Sequence, residues 1–383
     1  MTISWHSTWK RWTSPGGWQR PALLAEGAGG PAGLANAPAE WREMEGLIAL
    51  GAERLSTHRL GEVRFIDPAM PAAGEQRLPL LAFSLGSDRP DAPAVAFIGG
   101  VHGLERIGTQ VVLAHLRSVL MRLAWDEALQ RQLDGLRLVF MPIVNPGGLW
   151  LGSRCNPDGI DLMRSAPVEA LDPVAPLVGG HRLGAFLPWY RGPADAPMPV
   201  ESAALCSLVE QELLGRPFVL TLDCHSGFGQ DDRLWFPWAG RRQPYAHLAE
   251  LQALGDILDQ SLLHHRYRLE PQSHQYLTHG DLWDHLAQRA AHRGDTGVFL
   301  PLTLEMGSWR WVRKNPSQLL RRDGLFNPLL PHRLERVLRA HLAGLDFMTR
   351  AAASWQRWLP HDDTRRAALQ ARALARWYGA GGR

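Results

Sequence analysis

Three cysteines in 383 residues, Cys155, Cys206 and Cys224, are too few and odd in number for a disulfide framework; that usage points to a reducing compartment. No run of eighteen apolar residues occurs, so no membrane-spanning helix is expected. The stretch Met1 to Trp18 is polar and lacks the apolar core of a secretory signal, and the expectation is a soluble, cytoplasmic protein. Lysine is nearly absent and the positive charge rests on arginine. With 41 basic and 38 acidic residues the net charge is only +3, so composition gives no reason to expect nucleic acid as a partner. What is abundant is apolar residues, 45% of the chain, enough to fill the core of one large α/β domain with extensions. Nothing in the composition marks an oligomeric state.

The chain divides by texture. Residues 1–40 carry Trp5, Trp9, Trp12 and Trp18, followed by a Gly/Ala/Pro-rich loop, and read as a Trp-rich extension expected to pack on the main domain. Residues 41–350 alternate strand-like and helix-like patterns. Val63 to Ile66, Leu80 to Ser84, Ala94 to Ile98, Leu136 to Val144, Phe218 to Cys224 and Val298 to Glu305 read as strands. Ile107 to Leu123, Ser202 to Leu214 and Tyr245 to His264 read as helices. Strands separated by helices of this length favour a largely parallel, doubly wound sheet. Residues 351–383 form a helical tail, with Leu369, Leu374 and Trp377 on one side of Asp363 to Tyr378 and arginines elsewhere. That helix is expected to dock on its own domain rather than on a membrane surface.

The chemistry concentrates at Gly99-Gly100-Val101-His102-Gly103-Leu104-Glu105. A His and a Glu three apart, where a buried strand turns into a helix, can put an imidazole and a carboxylate on one metal ion. His225 ends the strand Phe218 to Cys224. Alternation sets Asp223 and His225 on one face and Cys224 on the other, which makes Cys224 a buried thiol rather than a ligand. His102, Glu105 and His225 together offer two nitrogens and a carboxylate and leave one position free for water, the arrangement of catalytic rather than structural zinc. His264, His265, His274 and His279 carry no metal spacing.

Four segments make the chain resemble the zinc metallocarboxypeptidases, most closely a little-characterised bacterial branch: Gly-Gly-Val-His102-Gly-Leu-Glu105, Asn145-Pro146-Gly-Gly with Arg154-Cys-Asn-Pro-Asp-Gly-Ile-Asp161-Leu-Met163-Arg164, Asp223-Cys-His225-Ser226, and Leu302-Thr303-Leu304-Glu305. The resemblance implies a mixed, mostly parallel sheet of about eight strands with helices on both faces, and a single Zn2+. It implies Glu305 as general base, Arg154 as the charge facing the developing oxyanion, and Arg164 as the fork for a substrate carboxylate. Asp161 would orient His102 from behind, and Tyr276, in Tyr276-Leu-Thr-His-Gly280-Asp-Leu-Trp283-Asp284, would close over the substrate. One position departs from the pattern: Met163 stands where the family usually has Asn, so one donor to a terminal carboxylate is missing. Trp283 suggests an aromatic or restrictive wall near the pocket, with a buried loop Trp as the equal alternative. The implied substrate is a peptide. An N-acyl amino acid, as in the aspartoacylase and succinylglutamate desuccinylase group, and a non-catalytic peptide-binding role are the alternatives.

Overall fold

The computed structural model describes residues 37–379 apart from 52–53 and 295–296, so the Trp-rich stretch 1–36 lies outside the described residues. Among them the chain forms eight strands: β1 (Ser56–Ile66), β2 (Glu75–Gly86), β3 (Ala94–Gly99), β4 (Arg137–Met141), β5 (Phe218–Ser226), β6 (Arg233–Phe236), β7 (Arg268–Pro271) and β8 (Val298–Met306). They join in one sheet in the order β1-β2-β4-β3-β5-β8-β6-β7. The pairs β3–β4, β3–β5, β5–β8 and β6–β7 are parallel, and the other three are antiparallel. Strands β3, β4 and β5 are buried along their whole length, which is why they read as continuous apolar runs rather than alternating ones.

The helices are α1 (Ala39–Leu50), α2 (Arg106–Arg122), α3 (Glu127–Leu133), α4 (Pro146–Leu151), α5 (Val200–Glu212), α6 (Leu248–Ser261), α7 (Leu282–His292), α8 (Trp309–Lys314), α9 (Pro331–Ala353), α10 (Trp355–Trp358) and α11 (Asp363–Tyr378). Helices α1, α2 and α9 pack together over β3 and β5, while α5 and α7 pack together against β1 and β8. Strand β5 shows the two layers directly. Cys224 faces α2, where a Cβ on Gly108 would lie 2.1 Å from its carbonyl oxygen, and Asp223 faces α7, where Trp283 donates to it.

The sheet edges extend beyond the sequence reading. β1 and β2 are longer than the apolar cores at 63–66 and 80–84; the added part of β1 carries exposed charge such as the Arg59–Glu62 pair, which hides it from an apolar pattern. The four-residue strands β6 and β7 are too short to show a period. Helix α7 begins inside the segment that reads as a loop after Tyr276. Asp281 caps it by accepting from Trp283 N and Asp284 N, both at 2.9 Å. The tail helix α11 docks on α6 through Arg366–Glu250 and Arg372–Asp256 pairs, and Trp377 Nε1 donates to Leu269 O at 2.9 Å. Its buried side is Leu369, Ala373 and Trp377; Leu374, expected inward, is 37% exposed, since a position five residues from Leu369 is turned away from that face.

Candidate active site

The loop from β3 to α2 is held from three sides. Gly100 turns the chain with φ +65°, and a Cβ on Gly103 would fall 2.0 Å from the Gly148 backbone of α4, so that position requires glycine. Asn145 caps α4 by accepting from Gly148 N at 2.7 Å and donates to Val101 O. Asn327, more than two hundred residues away, accepts from Ile107 N at 3.0 Å and donates to Leu104 O at 2.8 Å, which fixes both sides of Glu105. Nothing local in the sequence marks Asn327. Asn327→Ala is expected to lower unfolding stability in urea by about 1–3 kcal/mol, because it leaves a buried N–H and a buried C=O unpaired.

On this loop and on β5, three predicted ligands converge. His102 Nδ1 lies 3.0 Å from Glu105 Oε1, His225 Nδ1 lies 3.2 Å from Glu105 Oε2, and the two Nδ1 atoms are 3.2 Å apart. All three side chains are at least 95% buried. Behind them, Asp161 Oδ1 stands 3.0 Å from His102 Nε2 and Asp223 Oδ2 stands 2.8 Å from His225 Nε2, the latter contact bent away from the ideal hydrogen-bond line. With both Nε2 atoms turned to carboxylates, the neutral rings direct two lone pairs at each other, and only extra protons or a cation between them relieves that. Ligands about 2.0–2.2 Å from a tetrahedral zinc are separated by roughly 3.3–3.6 Å, slightly more than the triangle seen here. Donor type and spacing therefore both fit zinc, with a corner left for solvent.

The electrostatics follow. Burial opposes charge on Glu105, but His102 and His225 outweigh it and hold the carboxyl well below its usual range. Burial likewise works against His225, and Asp223 and Glu105 together hold its imidazole well above the ordinary value. Ser226 N donates to Glu105 Oε2 at 3.0 Å. Arg154 bridges the group, with Nη1 on Glu105 at 2.9 Å and Nε on Asp161 at 3.0 Å. A guanidinium held in this way cannot swing, which suits a fixed charge facing a developing anion.

Glu305 is placed by sheet register. It pairs with His225 across β5 and β8, so its carboxyl lies at the same strand ends as the ligands. Phe228 N donates to its Oε1 at 2.9 Å. Burial pushes the Glu305 carboxyl up to about 8, the Glu105 charge adding to the push. Arg310 and Arg313, close to it in the chain, are engaged elsewhere: Arg310 pairs with Asp232 and Arg313 reaches Gln230.

Arg164 is 3% exposed, donates from Nη1 to Met163 O, and leaves its buried Nε without a partner among the described residues. Its guanidinium carbon lies 5.8 Å from the Tyr276 ring centre. Tyr276 also touches Phe228 and Trp235, and burial raises its phenol above the usual value. Met163 contributes its backbone N–H to Asp161 rather than a side-chain donor to the cleft. Every sequence-predicted site residue therefore lies in one cluster. Of the two readings of Trp283 the structure shows the buried one: it is 97% buried, its indole on Asp223. Cys224 points to the other face, and burial raises its thiol well above the ordinary value.

Residues 73–307 match the family model described as zinc carboxypeptidase. Among curated proteins, Carboxypeptidase SOL1 of Arabidopsis thaliana is 33% identical over 85 residues (21% of this chain, 17% of that protein). Carboxypeptidase E of Caenorhabditis elegans is 26% identical over 156 residues (37% of this chain, 32% of that protein). The matched segments thus span less than a third of either relative. Among solved structures, carboxypeptidase A from Helicoverpa armigera superposes with a TM-score of 0.59 at 16% identity, covering 81% of this chain and 72% of that one. Thrombin activatable fibrinolysis inhibitor gives 0.58 at 16% identity, covering 83% and 77%. At that identity the likeness is one of fold.

Proposed function

The chain belongs to the zinc carboxypeptidase family, and from that premise we propose that it hydrolyses an amide bond next to a free carboxylate in a peptide substrate. The observation that carries the reading is Glu305 set in register beside His225, at the rim of the His102–Glu105–His225 triangle. Zinc held by those three side chains would acidify a water molecule and polarise the scissile carbonyl. Glu305 takes the proton from the attacking water and passes it to the departing nitrogen. Arg154, locked between Glu105 and Asp161, faces the negative charge that grows on the carbonyl oxygen. Arg164, with Nε uncommitted, binds the substrate carboxylate, and Tyr276 beside it excludes water.

Because Met163 supplies no donor, Arg164 recognises the carboxylate with little help, and the grip on a free C-terminus is weaker than the fold allows. The three unpaired cysteines, and the absence among the described residues of any helix long and apolar enough to cross a membrane, support an aqueous, reducing setting.

The test is a substrate panel of N-blocked dipeptides and N-acyl amino acids, run with native, chelator-stripped and zinc-restored protein. Zinc-dependent cleavage of dipeptides is expected; turnover of acyl amino acids alone would move the protein to the deacylase reading. Arg164→Ala is expected to raise KM for free-carboxylate substrates about 10–100-fold, the worth of a charge-assisted hydrogen bond, while leaving amidated substrates unchanged. Equal effects on both would remove Arg164 from its role.

A further inference from the structure

Trp283 sits in the first turn of α7, on the opposite side of β5 from α2, and is 97% buried. Its indole N–H is spent on a single acceptor, Asp223 Oδ2, at 3.0 Å. The same oxygen stands 2.8 Å from His225 Nε2. Asp223 is wholly buried, and its other oxygen, Oδ1, has no partner among the described residues. One carboxylate oxygen therefore carries both contacts, with the indole on one side and the metal-ligating imidazole on the other.

The two imidazoles are backed differently. Asp161, behind His102, is neutralised by the Arg154 guanidinium and also accepts from Met163 N. Asp223, behind His225, is met besides that imidazole by the neutral indole alone among the described residues. An indole donor fixes the direction of a carboxylate without cancelling its charge. It is also held: Asp281 caps the turn by accepting the Trp283 backbone N–H, and burial confines the ring.

We infer that Trp283 and Asp223 are positioning residues for His225, in which the indole aims the Asp223 carboxylate so that the imidazole holds its proton on Nε2 and presents an electron-rich Nδ1 to zinc. This rests on the zinc reading above. Trp283 acts only through Asp223, and α7 thereby becomes part of the metal site although it supplies no ligand. Loss of a partner behind a ligating His lowers metal affinity about 10–100-fold. Asp223→Asn belongs in that range, and Trp283→Phe, one contact further out, at roughly tenfold.

The experiment measures the zinc Kd by competition with a chromophoric chelator, for wild type, Trp283→Phe, Asp223→Asn and the double variant. The absorption of the cobalt-substituted proteins and the thermal midpoints of the metal-free proteins are recorded alongside. The relay predicts that Trp283→Phe weakens zinc and alters the cobalt ligand-field bands, and that the double variant is no weaker than Asp223→Asn alone. A zinc Kd for Trp283→Phe within twofold of wild type overturns it. Additive effects in the double variant also overturn it, since they would mean that the ring merely packs. Should Trp283→Phe not fold, Asp223→Asn decides alone: an unchanged zinc Kd refutes the positioning role. Wild-type protein that binds no stoichiometric zinc would instead overturn the zinc reading itself, a result distinct from tight binding indifferent to Trp283.

Discussion

Glu305→Gln is expected to lower kcat on a cleaved dipeptide about a thousandfold, within the range general acid–base groups supply, while zinc content stays at one ion per chain. The substitution is nearly isosteric, and the amide oxygen can still accept from Phe228 N, so the β8 end keeps its geometry. Glu305 is not one of the three converging ligand side chains, so metal retention separates loss of the proton shuttle from loss of the site. Steady-state rates with metal analysis on the same preparation make the measurement. Retained turnover would take the general-base role away from Glu305, and loss of zinc would make it a ligand.

The second large effect is expected at Glu105. Glu105→Ala should abolish turnover and weaken zinc by more than the roughly 10–100-fold that follows loss of a contact behind a ligand. The reason is the number of partners gathered on this one carboxyl: His102, His225, Ser226 N and Arg154 all meet it. Removing it takes away one ligand and also leaves the Arg154 guanidinium tied only to Asp161, free at one end in the cleft. Zinc titration followed by rate assays on the variant checks this, and near-native zinc affinity would refute Glu105 as a ligand.

How much of this was readable in advance follows from what sequence pattern can encode. The apolar runs of β3, β5 and β8 located the central strands, and residues at or just beyond their ends, His102, His225 and Glu305, were visible because charge there is conspicuous after buried apolar chain. Period two also placed Cys224 away from the site. The supports were not readable. Asn327 and Trp283 meet their partners across 223 and 60 residues, and neither lies in a pattern that names an acceptor. Trp283 reads equally as a wall or as a buried ring, because an aromatic next to a cleft motif carries no sign of which way its ring turns. Helix α7 was hidden because its cap, Asp281, sits within a Gly-Asp turn that looks like continuing loop.

The spacing between Glu305 and His225 comes from the rungs joining β5 to β8, and no loop takes part in setting it. A ladder of backbone bonds is a ruler that side-chain replacement does not rescale, and sliding it by one residue would turn the carboxyl to the far side of the sheet. The segments around Met163, Arg164 and Tyr276 lie off that ruler. Descendants of this chain are therefore free to change what they cut while Glu305 and His225 keep their mutual distance.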